Sequence, residues 1–317
     1  MGHPDVVGRP PRAPGPLGSL SAVTSRAFGV LGPGDIVQIT DPRGHRHTLQ
    51  LEPGKVFHTH RGGISHDEIL GMPDGCVVTS AGGTTYVVLR SLLEDFILSM
   101  PRGAAVIYPK DAARIVMSAG LGPGSRVLEA GGGSGALTCT LLTAVGGDGF
   151  VVSWERRPDF AEVARTNVER WFGAPPANWE LGIGDVRDAV ADGRIPASQF
   201  DAVVWDMLDP WECLGAAATV LRPGGVLVVY VATTTQLSRV AEDVRAMGGW
   251  TEPRAEESLV RTWHLEGLAV RPDHRMIGHT GFLLATRRLA PGVQAPPRRR
   301  RPAKGAYPTA PGPDSSS

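Results

Sequence analysis

Cysteine is scarce in this chain. The three residues Cys76, Cys139 and Cys213 lie far apart, with no Cys-x-x-Cys or histidine spacing around them. An odd number of distant cysteines predicts neither a disulfide framework nor a zinc site. No apolar run reaches the roughly eighteen residues of a membrane span, and no charged-then-apolar signal segment opens the chain. We therefore expect a cytoplasmic protein with reduced thiols, no membrane association and no metal.

Neither sign of charge is in excess, because Lys plus Arg and Asp plus Glu each number 32. Net charge therefore does not indicate a nucleic-acid partner, and only a local patch can do so. One candidate is the basic cluster formed by Arg43, His45, Arg46, Lys55, His58, His60 and Arg61. These side chains form either a phosphate-binding surface or an ordinary solvated face, and the sequence leaves both interpretations open.

Composition divides the chain into four parts. Residues 1–25 are rich in Pro, Gly and Arg without periodicity, and predict a disordered leader. Residues 26–90 contain short β-prone runs between turn sequences, which predict a small antiparallel β domain. Residues 91–289 begin with a linking helix and form the larger domain. Residues 290–317 surround an arginine run and predict a disordered basic tail, either solvated or in non-specific contact with RNA.

The larger domain alternates between strand and helix patterns. Strands are predicted at Arg126–Ala130, Phe150–Glu155, Trp179–Ile183, Ala202–Asp206 and Val226–Val231, and helices at Ala112–Ala119, Ala136–Val145, Asp159–Phe172, Trp211–Leu221 and Gln236–Met247. Strict alternation of this kind is typical of a doubly wound α/β sheet. Later stretches, ending with Gly281–Arg287, predict closing strands that include an antiparallel pair.

A glycine-rich turn follows the first of these strands. It runs from Glu129 through Gly131-x-Gly133 to Ala136, where a helix begins. This spacing satisfies the dinucleotide fingerprint, whose third position accepts alanine. However, a carboxylate at Glu129 would repel a pyrophosphate, whereas it suits a cationic amino-acid ligand such as S-adenosylmethionine. The turn alone leaves both cofactors open, and the segments that follow favour S-adenosylmethionine.

Four strand ends of the predicted sheet carry acidic residues: Glu129, Glu155, Asp206, and Asp185 just past its strand. Ligands bind at the carboxyl ends of strands in open α/β sheets, so these four acids mark the expected site. Glu155 lies 22 residues beyond Gly133, the interval at which an acid reaches ribose hydroxyls. Asp185 either accepts an adenine amino group, with Val186 donating a backbone N–H, or caps the next helix.

The fourth strand runs into Asp206-Met-Leu-Asp-Pro-Trp211. A carboxylate beside a planar aromatic surface suits a flipped base, held by stacking and by contacts to its edge. Trp211 is equally well explained as a core residue at a helix start. Tyr230 ends the fifth strand and either forms another wall of the pocket or simply packs.

The chain resembles the TrmI family, the tRNA (adenine-N1)-methyltransferases that modify adenine 58 in the T loop. The matching motifs are Val106–Asp111 (VIYPKD), Glu129–Thr138 (EAGGGSGALT), Trp154–Phe160 (WERRPDF), Gly184–Val186 (GDV), Asp206–Trp211 (DMLDPW) and His279–Leu283 (HTGFL). They span about Gly32 to Leu289 and occur in the family's order. The resemblance implies a class I, Rossmann-like methyltransferase domain preceded by a small antiparallel β domain.

The resemblance also implies S-adenosylmethionine as methyl donor, tRNA as substrate and a homotetramer arranged as a dimer of dimers. Residues carried over as cofactor-binding are Glu129, Gly131, Gly133, Ser134, Gly135, Leu137, Glu155, Arg156, Asp185, Val186 and Asp206. Asp206 would also be catalytic, and Tyr108 and Tyr230 would shape the adenine pocket. Two alternatives stay open here: a noncatalytic RNA-binding subunit that retains the fold, and a nicotinamide-dependent oxidoreductase.

Overall fold

The computed structural model describes residues 29–103 and 105–296. The predicted leader lies outside these described residues, as do residues 297–317 of the predicted tail. Six strands fill the first part: β1 (Ile36–Thr40), β2 (Arg46–Gln50), β3 (Val56–Thr59), β4 (Gly62–Ser65), β5 (Cys76–Thr79) and β6 (Thr85–Arg90). Four of them form an antiparallel sheet in the order β2-β1-β6-β5, while β3 and β4 form a separate hairpin.

This small sheet has its own apolar core, in which Ile39, Leu51, Ile64 and Val88 are inaccessible to solvent. The alternation of buried and exposed residues along β5 and β6 explains why the sequence predicts them as half-buried strands. The β3–β4 hairpin was not predicted, because its strands are short and mostly half-exposed.

The larger part contains α1 (Leu93–Ser99), α2 (Pro109–Ala119), β7 (Arg126–Ala130), α3 (Ala136–Val145), β8 (Phe150–Glu155), α4 (Pro158–Phe172), β9 (Trp179–Ile183), α5 (Val186–Ala191), β10 (Phe200–Asp206), α6 (Leu214–Val220), β11 (Leu221–Val231), α7 (Thr234–Met247), β12 (Arg254–Glu256), β13 (Trp263–Glu266), β14 (Ala269–Pro272) and β15 (Phe282–Arg287). The apolar run before Tyr108 predicts a strand that leads into the Tyr-Pro-Lys-Asp sequence, but residues 105–107 form no strand. The predicted helix from Trp211 is divided into a short 3-10 turn and α6.

Seven of these strands form one sheet in the order β12-β15-β11-β10-β7-β8-β9. The strands from β11 to β9 are parallel, and β15 joins β11 and β12 antiparallel, as the sequence predicts for the closing strands. The strand order reverses between β7 and β10, so the topological switch point of the sheet lies between these two strands. A ligand crevice is therefore expected beyond the carboxyl ends of β7 and β10.

Two apolar clusters cover the two faces of the sheet, which is the doubly wound arrangement that the sequence predicts. Helices α1 to α4 contribute to one cluster, and α5 to α7 contribute to the other. The three cysteines are free and buried, and within the described range no helix is long and apolar enough to cross a membrane.

Candidate active site

The glycine turn after β7 brings three elements into close contact. Gly131 has φ +84°, and a side chain there would collide with the carbonyl oxygen of Asp206 at the end of β10. Gly135 has φ +80°, and its hypothetical Cβ would lie 3.0 Å from the carbonyl oxygen of Ala164 in α4. Glycine is therefore required at both positions by conformation and by space.

A cleft of about 510 Å³ opens beside this turn, within the size range of small-molecule sites. It brings together seven of the predicted residues: Gly131, Gly133, Glu155, Arg156, Asp185, Val186 and Asp206. The other predicted residues of this region, Glu129, Ser134, Gly135 and Leu137, do not line the cleft. Ser134 Oγ accepts a hydrogen bond from the Gly103 N–H at 3.1 Å, and Leu137 packs in the core cluster under α3.

Glu129 has no exposed surface, and the residues that follow it, Ala130 and Gly131, line the cleft. Its Oε2 accepts hydrogen bonds from the hydroxyls of Thr138 and Ser153, both at 2.6 Å, while Oε1 has no hydrogen-bond partner among the described residues. Burial raises the pKa of this carboxyl to about 7, although the hydrogen bonds from the two hydroxyls lower it. An unpartnered buried oxygen next to the cleft is an acceptor that a ligand donor would satisfy.

Glu155 ties the end of β8 to the glycine turn. One carboxylate oxygen accepts the Gly133 N–H at 2.9 Å, and the other accepts the Arg157 N–H at 3.0 Å. The residue is 5% exposed and lines the cleft. Each carboxylate oxygen keeps a further lone pair, so Glu155 remains able to accept hydroxyl donors from a ligand.

Asp185 both caps α5 and lines the cleft, so the two interpretations of this residue are compatible. Its side chain accepts the Arg187 N–H at 2.8 Å, and it pairs with the Arg187 guanidinium, also at 2.8 Å. The hydrogen bond from Arg187 lowers the pKa of Asp185, which holds the carboxylate ionised.

Asp206 sits at the switch point, on the rim of the cleft. Burial, and after it the charge of Glu155, raise the pKa of Asp206 to about 7. Asp206 is in register with Tyr230 on β11, so the two residues are neighbours on one face of the sheet. Both follow the same alternation as Val204 and Val228, which lie in the cluster beneath α2 and α3.

Tyr108 and Tyr230 do not line the cleft, but they lie together beside its Asp206 end. Tyr108 immediately precedes α2, and it is one of the electrostatic neighbours of Tyr230, together with Asp111 and Asp206. Burial raises the pKa of Tyr230 to about 12, so its phenol is neutral. Two aromatic hydroxyls and one carboxylate are thus grouped next to the cleft.

Sequence reasoning missed several residues of the cleft wall: Ala105, Ala130, Trp154, Arg157, Gly184, Arg187, Met207, Leu208, Asp209, Glu212 and Cys213. Leu208 follows shortly after Asp206 and is 72% exposed. It is the one residue of this set for which the sequence carries a signal, namely an apolar residue within a polar loop. For Trp211 the structure favours the packing interpretation. Its ring packs against the core cluster, and the Arg239 guanidinium lies 4.2 Å from the ring centroid.

The residues of this site fit S-adenosylmethionine, which carries a cationic methionine portion and a ribose with two hydroxyls. The acidic groups of Glu129, Glu155 and Asp206 complement positive charge, and Glu155 has free acceptor capacity for hydroxyls. The turn from Gly131 to Gly133 allows a ligand to approach the backbone closely. The fold and this cleft together define a class I S-adenosylmethionine-dependent methyltransferase.

Comparison with known proteins narrows the class. Residues 29–78 match the TrmI-like N-terminal family, and residues 84–271 match the family of the tRNA methyltransferase complex GCD14 subunit. The chain belongs to this TrmI/GCD14 family of tRNA methyltransferases.

Relatives of known identity include a tRNA (adenine(58)-N(1))-methyltransferase TrmI of Thermus thermophilus, which is 35% identical over 81% of this chain and 97% of its own. The TrmI of Methanocaldococcus jannaschii, described as acting at adenines 57 and 58, is 31% identical over 78% of this chain and 93% of its own.

Two solved structures are similar to this one over most of the chain. One is tRNA (m1A58) methyltransferase TrmI from Aquifex aeolicus, with a TM-score of 0.72 and 26% identity over 83% of this chain and all of that one. The other is a SAM-dependent O-methyltransferase from Thermotoga maritima, with a TM-score of 0.77 and 27% identity over 84% of this chain and 97% of that one. The nicotinamide interpretation of the glycine turn finds no support in these matches.

Proposed function

We propose that this protein transfers a methyl group from S-adenosylmethionine to N1 of adenine 58 in the T loop of tRNA. The observation that carries the proposal is Asp206, a carboxyl on the rim of the cofactor cleft with Tyr230 in register beside it. The relatives named as adenine-58 methyltransferases support the choice of substrate. An intact cleft argues against a noncatalytic subunit.

The enzyme's task is to position a nucleophile that already exists. Neutral adenine is nucleophilic at N1, because its N6 lone pair is conjugated into the ring, so no base has to create the nucleophile. The cofactor supplies an electrophilic methyl group on a sulfonium. As the methyl is transferred, positive charge develops on the purine and is felt at the N6 hydrogens.

Asp206 is the residue that stabilises this developing charge. A carboxylate that accepts a hydrogen bond from N6 stabilises the charged purine more than the neutral one, and it therefore lowers the barrier. After transfer, the same carboxylate is placed to take the N6 proton. Tyr108 and Tyr230 hold the base against this side of the pocket. Gly131, Gly133, Glu155, Arg156, Asp185 and Val186 line the cleft and would hold the cofactor. Glu155 would accept hydrogen bonds from its ribose hydroxyls, and Asp185 and Val186 would contact its adenine.

The direct test uses labelled S-adenosylmethionine and unmodified tRNA transcripts, with the labelled nucleoside identified after digestion. We expect 1-methyladenosine, and we expect it to disappear when adenine 58 is replaced by guanine. A transcript in which adenine 57 is replaced separates methylation at the two adjacent positions. Cofactor binding without label on any tRNA would favour the noncatalytic interpretation, whereas NADH binding in its place would favour the oxidoreductase.

The tRNA-facing surface includes the basic cluster of the small sheet. All seven of its side chains, from Arg43 to Arg61, are exposed, and among the described residues only His45, Arg46 and Lys55 of the cluster have an acidic partner. Exposed cations of this kind bind phosphate without reading the base sequence, and they release counterions when they do so. They therefore suit the backbone of a folded RNA rather than its modified base.

We assign the protein to the cytoplasm, where its tRNA substrate is found, and to a homotetramer built as a dimer of dimers. Support for the assembly comes from the hairpin of β13 and β14, which is hydrogen-bonded to neither large sheet. It exposes Trp263, Leu265 and Val270, which are 53%, 72% and 56% accessible. Large apolar side chains that are exposed side by side mark an interaction site.

A further inference from the structure

One residue of the cleft wall comes from a separate part of the chain. The other described residues of the wall lie between Ala130 and Cys213, whereas Ala105 belongs to the connection between α1 and α2. Ala105 is exposed, while the next two residues, Val106 and Ile107, are buried in the cluster beneath α2 and α3. The position of Ala105 therefore depends on what holds the chain just before it.

The chain before Ala105 is tied to α4 by one buried amide. Asn167 is 1% exposed, and its Nδ2 donates to the carbonyl oxygens of Pro101 and Ser134, both at 2.9 Å. Pro101 begins the segment 101–103, and Ser134 belongs to the glycine turn. The two hydrogens of one amide group thus join the segment 101–103 to the turn beside the cofactor cleft.

Two further contacts hold the same segment. The Gly103 N–H donates to Ser134 Oγ at 3.1 Å. The ring of Phe160 in α4 lies against Gly103, where an added Cβ would be 3.2 Å from Phe160 Cδ1. Because Ala105 is only two residues beyond Gly103, it lies within about 7 Å of this anchored backbone. The contacts of the segment 101–103 therefore restrict where Ala105 can lie.

An asparagine on the buried face of α4 needs a reason. The other buried residues of this helix, Ala161, Ala164 and Val168, are apolar, and asparagine favours helices less than alanine does. A buried amide costs free energy unless its hydrogens are bonded. Both hydrogens of Asn167 are bonded, and their acceptors lie in two other segments of the chain. The side chain thus connects parts of the molecule that the helix backbone does not connect.

We propose that Asn167 is a positioning residue for cofactor binding. By holding the segment 101–103 on the glycine turn, its amide keeps Ala105 in the wall of the cleft, although Asn167 does not itself line the cleft. The inference uses S-adenosylmethionine as the cofactor and does not depend on which nucleic acid accepts the methyl group.

The other end of the same connection has an anchor of its own. Tyr108 immediately precedes α2, and at the start of this helix Lys110 Nζ donates to Asp111 Oδ1 at 2.8 Å and to Thr280 Oγ1 at 2.6 Å. Loss of the Asn167 amide should therefore disturb the cofactor side of the site and leave Tyr108 in place. The proposal predicts a change in KM for S-adenosylmethionine without a matching change in kcat.

The chain contains a matched control for Asn167. Asn178 is 9% exposed, and its Nδ2 likewise donates to two carbonyl oxygens, those of Gly146 at 2.9 Å and Gly149 at 3.0 Å. These carbonyls belong to the turn between α3 and β8, at the amino end of β8 and away from the cleft. The two asparagines are therefore alike in burial and bonding, and they differ in the segments that they join.

The first test compares Asn167→Ala with Asn178→Ala by calorimetry. In Asn167→Ala the dissociation constant for S-adenosylmethionine should rise about tenfold, because a smaller fraction of molecules has Ala105 in place. In Asn178→Ala it should stay within about twofold of the wild type, although the same number of hydrogen bonds is lost. At saturating cofactor, kcat of Asn167→Ala should also stay within about twofold. An unchanged dissociation constant in Asn167→Ala, or an equal rise in both variants, would overturn the proposal.

A second variant loosens the segment 101–103 without altering α4. Ser134→Ala removes the acceptor of the Gly103 N–H and should raise the dissociation constant for S-adenosylmethionine about threefold. If Asn167→Ala does not fold, this variant decides the matter, and an unchanged dissociation constant would then overturn the proposal.

A readout without cofactor or tRNA keeps this inference distinct from the proposed function. Trypsin cuts after Arg102, which is exposed, and cleavage requires the backbone around it to detach. The fragment that begins at Gly103 should appear about tenfold faster in Asn167→Ala and at the wild-type rate in Asn178→Ala. Equal rates in Asn167→Ala and the wild type would overturn the anchoring. Faster cleavage and weaker cofactor binding in a protein that methylates no tRNA would uphold the inference and overturn the proposed substrate.

Discussion

Asp206 bears most directly on the proposed chemistry at the scale of single residues. Replacing it by Ala removes one preorganised electrostatic partner of the developing charge, and we expect turnover to fall about 10²- to 10³-fold. Affinity for S-adenosylmethionine, measured by calorimetry, should fall much less. Folded Asp206→Ala protein with near wild-type turnover would exclude this role.

The pH dependence of methylation should follow the same residue. Because the pKa of Asp206 is raised to about 7, the carboxylate is only partly formed below neutrality. Single-turnover rates should therefore rise with pH up to about 7 and then level off, and the rise should vanish in Asp206→Asn. A profile of unchanged shape in Asp206→Asn would assign the ionisation to another group, for which Glu129→Gln is the informative second variant.

Glu129 gives a prediction about stability. Its folded-state pKa is about 7 against the usual 4.5, so the folded protein binds the proton more tightly than the unfolded chain. Stability is then fully present below pH 4.5 and is lost as pH rises to about 7, by about 3 kcal/mol. In urea unfolding, the stability of Glu129→Gln relative to the wild type should therefore increase by about 3 kcal/mol between pH 4.5 and about pH 7. Parallel stability curves would contradict a buried proton at Glu129.

At the scale of elements, the glycine turn couples β7 to β10, and the chain offers a matched pair of substitutions. Gly131→Ala forces a side chain against the Asp206 carbonyl at positive φ, so we expect a loss of about 3 kcal/mol together with misplacement of Asp206. At Gly132 the nearest atom to an added Cβ is 3.7 Å away, so Gly132→Ala should cost less than about 1 kcal/mol. Thermal unfolding and turnover measured on both variants check this, and equal losses would refute the close approach.

The same elements show what the sequence predicts well. Strands β7, β8 and β9 match their predicted bounds, because each is a short apolar or alternating run between turn residues. The β3–β4 hairpin, α5 and the 263–272 hairpin escaped full prediction, because they are short or expose apolar residues that would ordinarily indicate burial. Each hairpin pairs only its own two short strands, so no longer alternating run marks it in the sequence.

The residues of the candidate site also divide into those that the sequence predicts and those that it does not. Acids at strand ends are predictable, since the carboxyl ends of parallel strands meet at one edge, and Glu155 and Asp206 do line the cleft there. Leu137 follows the glycine turn but belongs to α3, and its side chain packs in the core. The hydrogen bond between Lys110 and Thr280 could not be predicted, because no local pattern connects residues so far apart in the sequence.

At the scale of the whole molecule, the exposed hairpin predicts how copies associate. Leu265→Asp places a charge on the apolar surface of β13, and we expect the proposed tetramer to dissociate into smaller species in light scattering. Val77→Asp on β5, where the valine is 56% exposed, serves as a control on another apolar surface and should leave the mass unchanged. An intact assembly in the first variant would exclude the hairpin as an interface.

The insertion of β15 between β11 and β12 also sets an order of events during synthesis. Every residue that lines the cofactor cleft lies between Ala105 and Cys213, so a nascent chain that has emerged through α6 already contains the whole cleft. Gly281, whose backbone packs against the Tyr230 ring, follows only just before β15. Since a domain folds as a unit, the sheet that carries the site is complete only once β15 has left the ribosome. A ribosome-bound chain therefore carries every residue of its cleft before it carries the strand that completes the sheet.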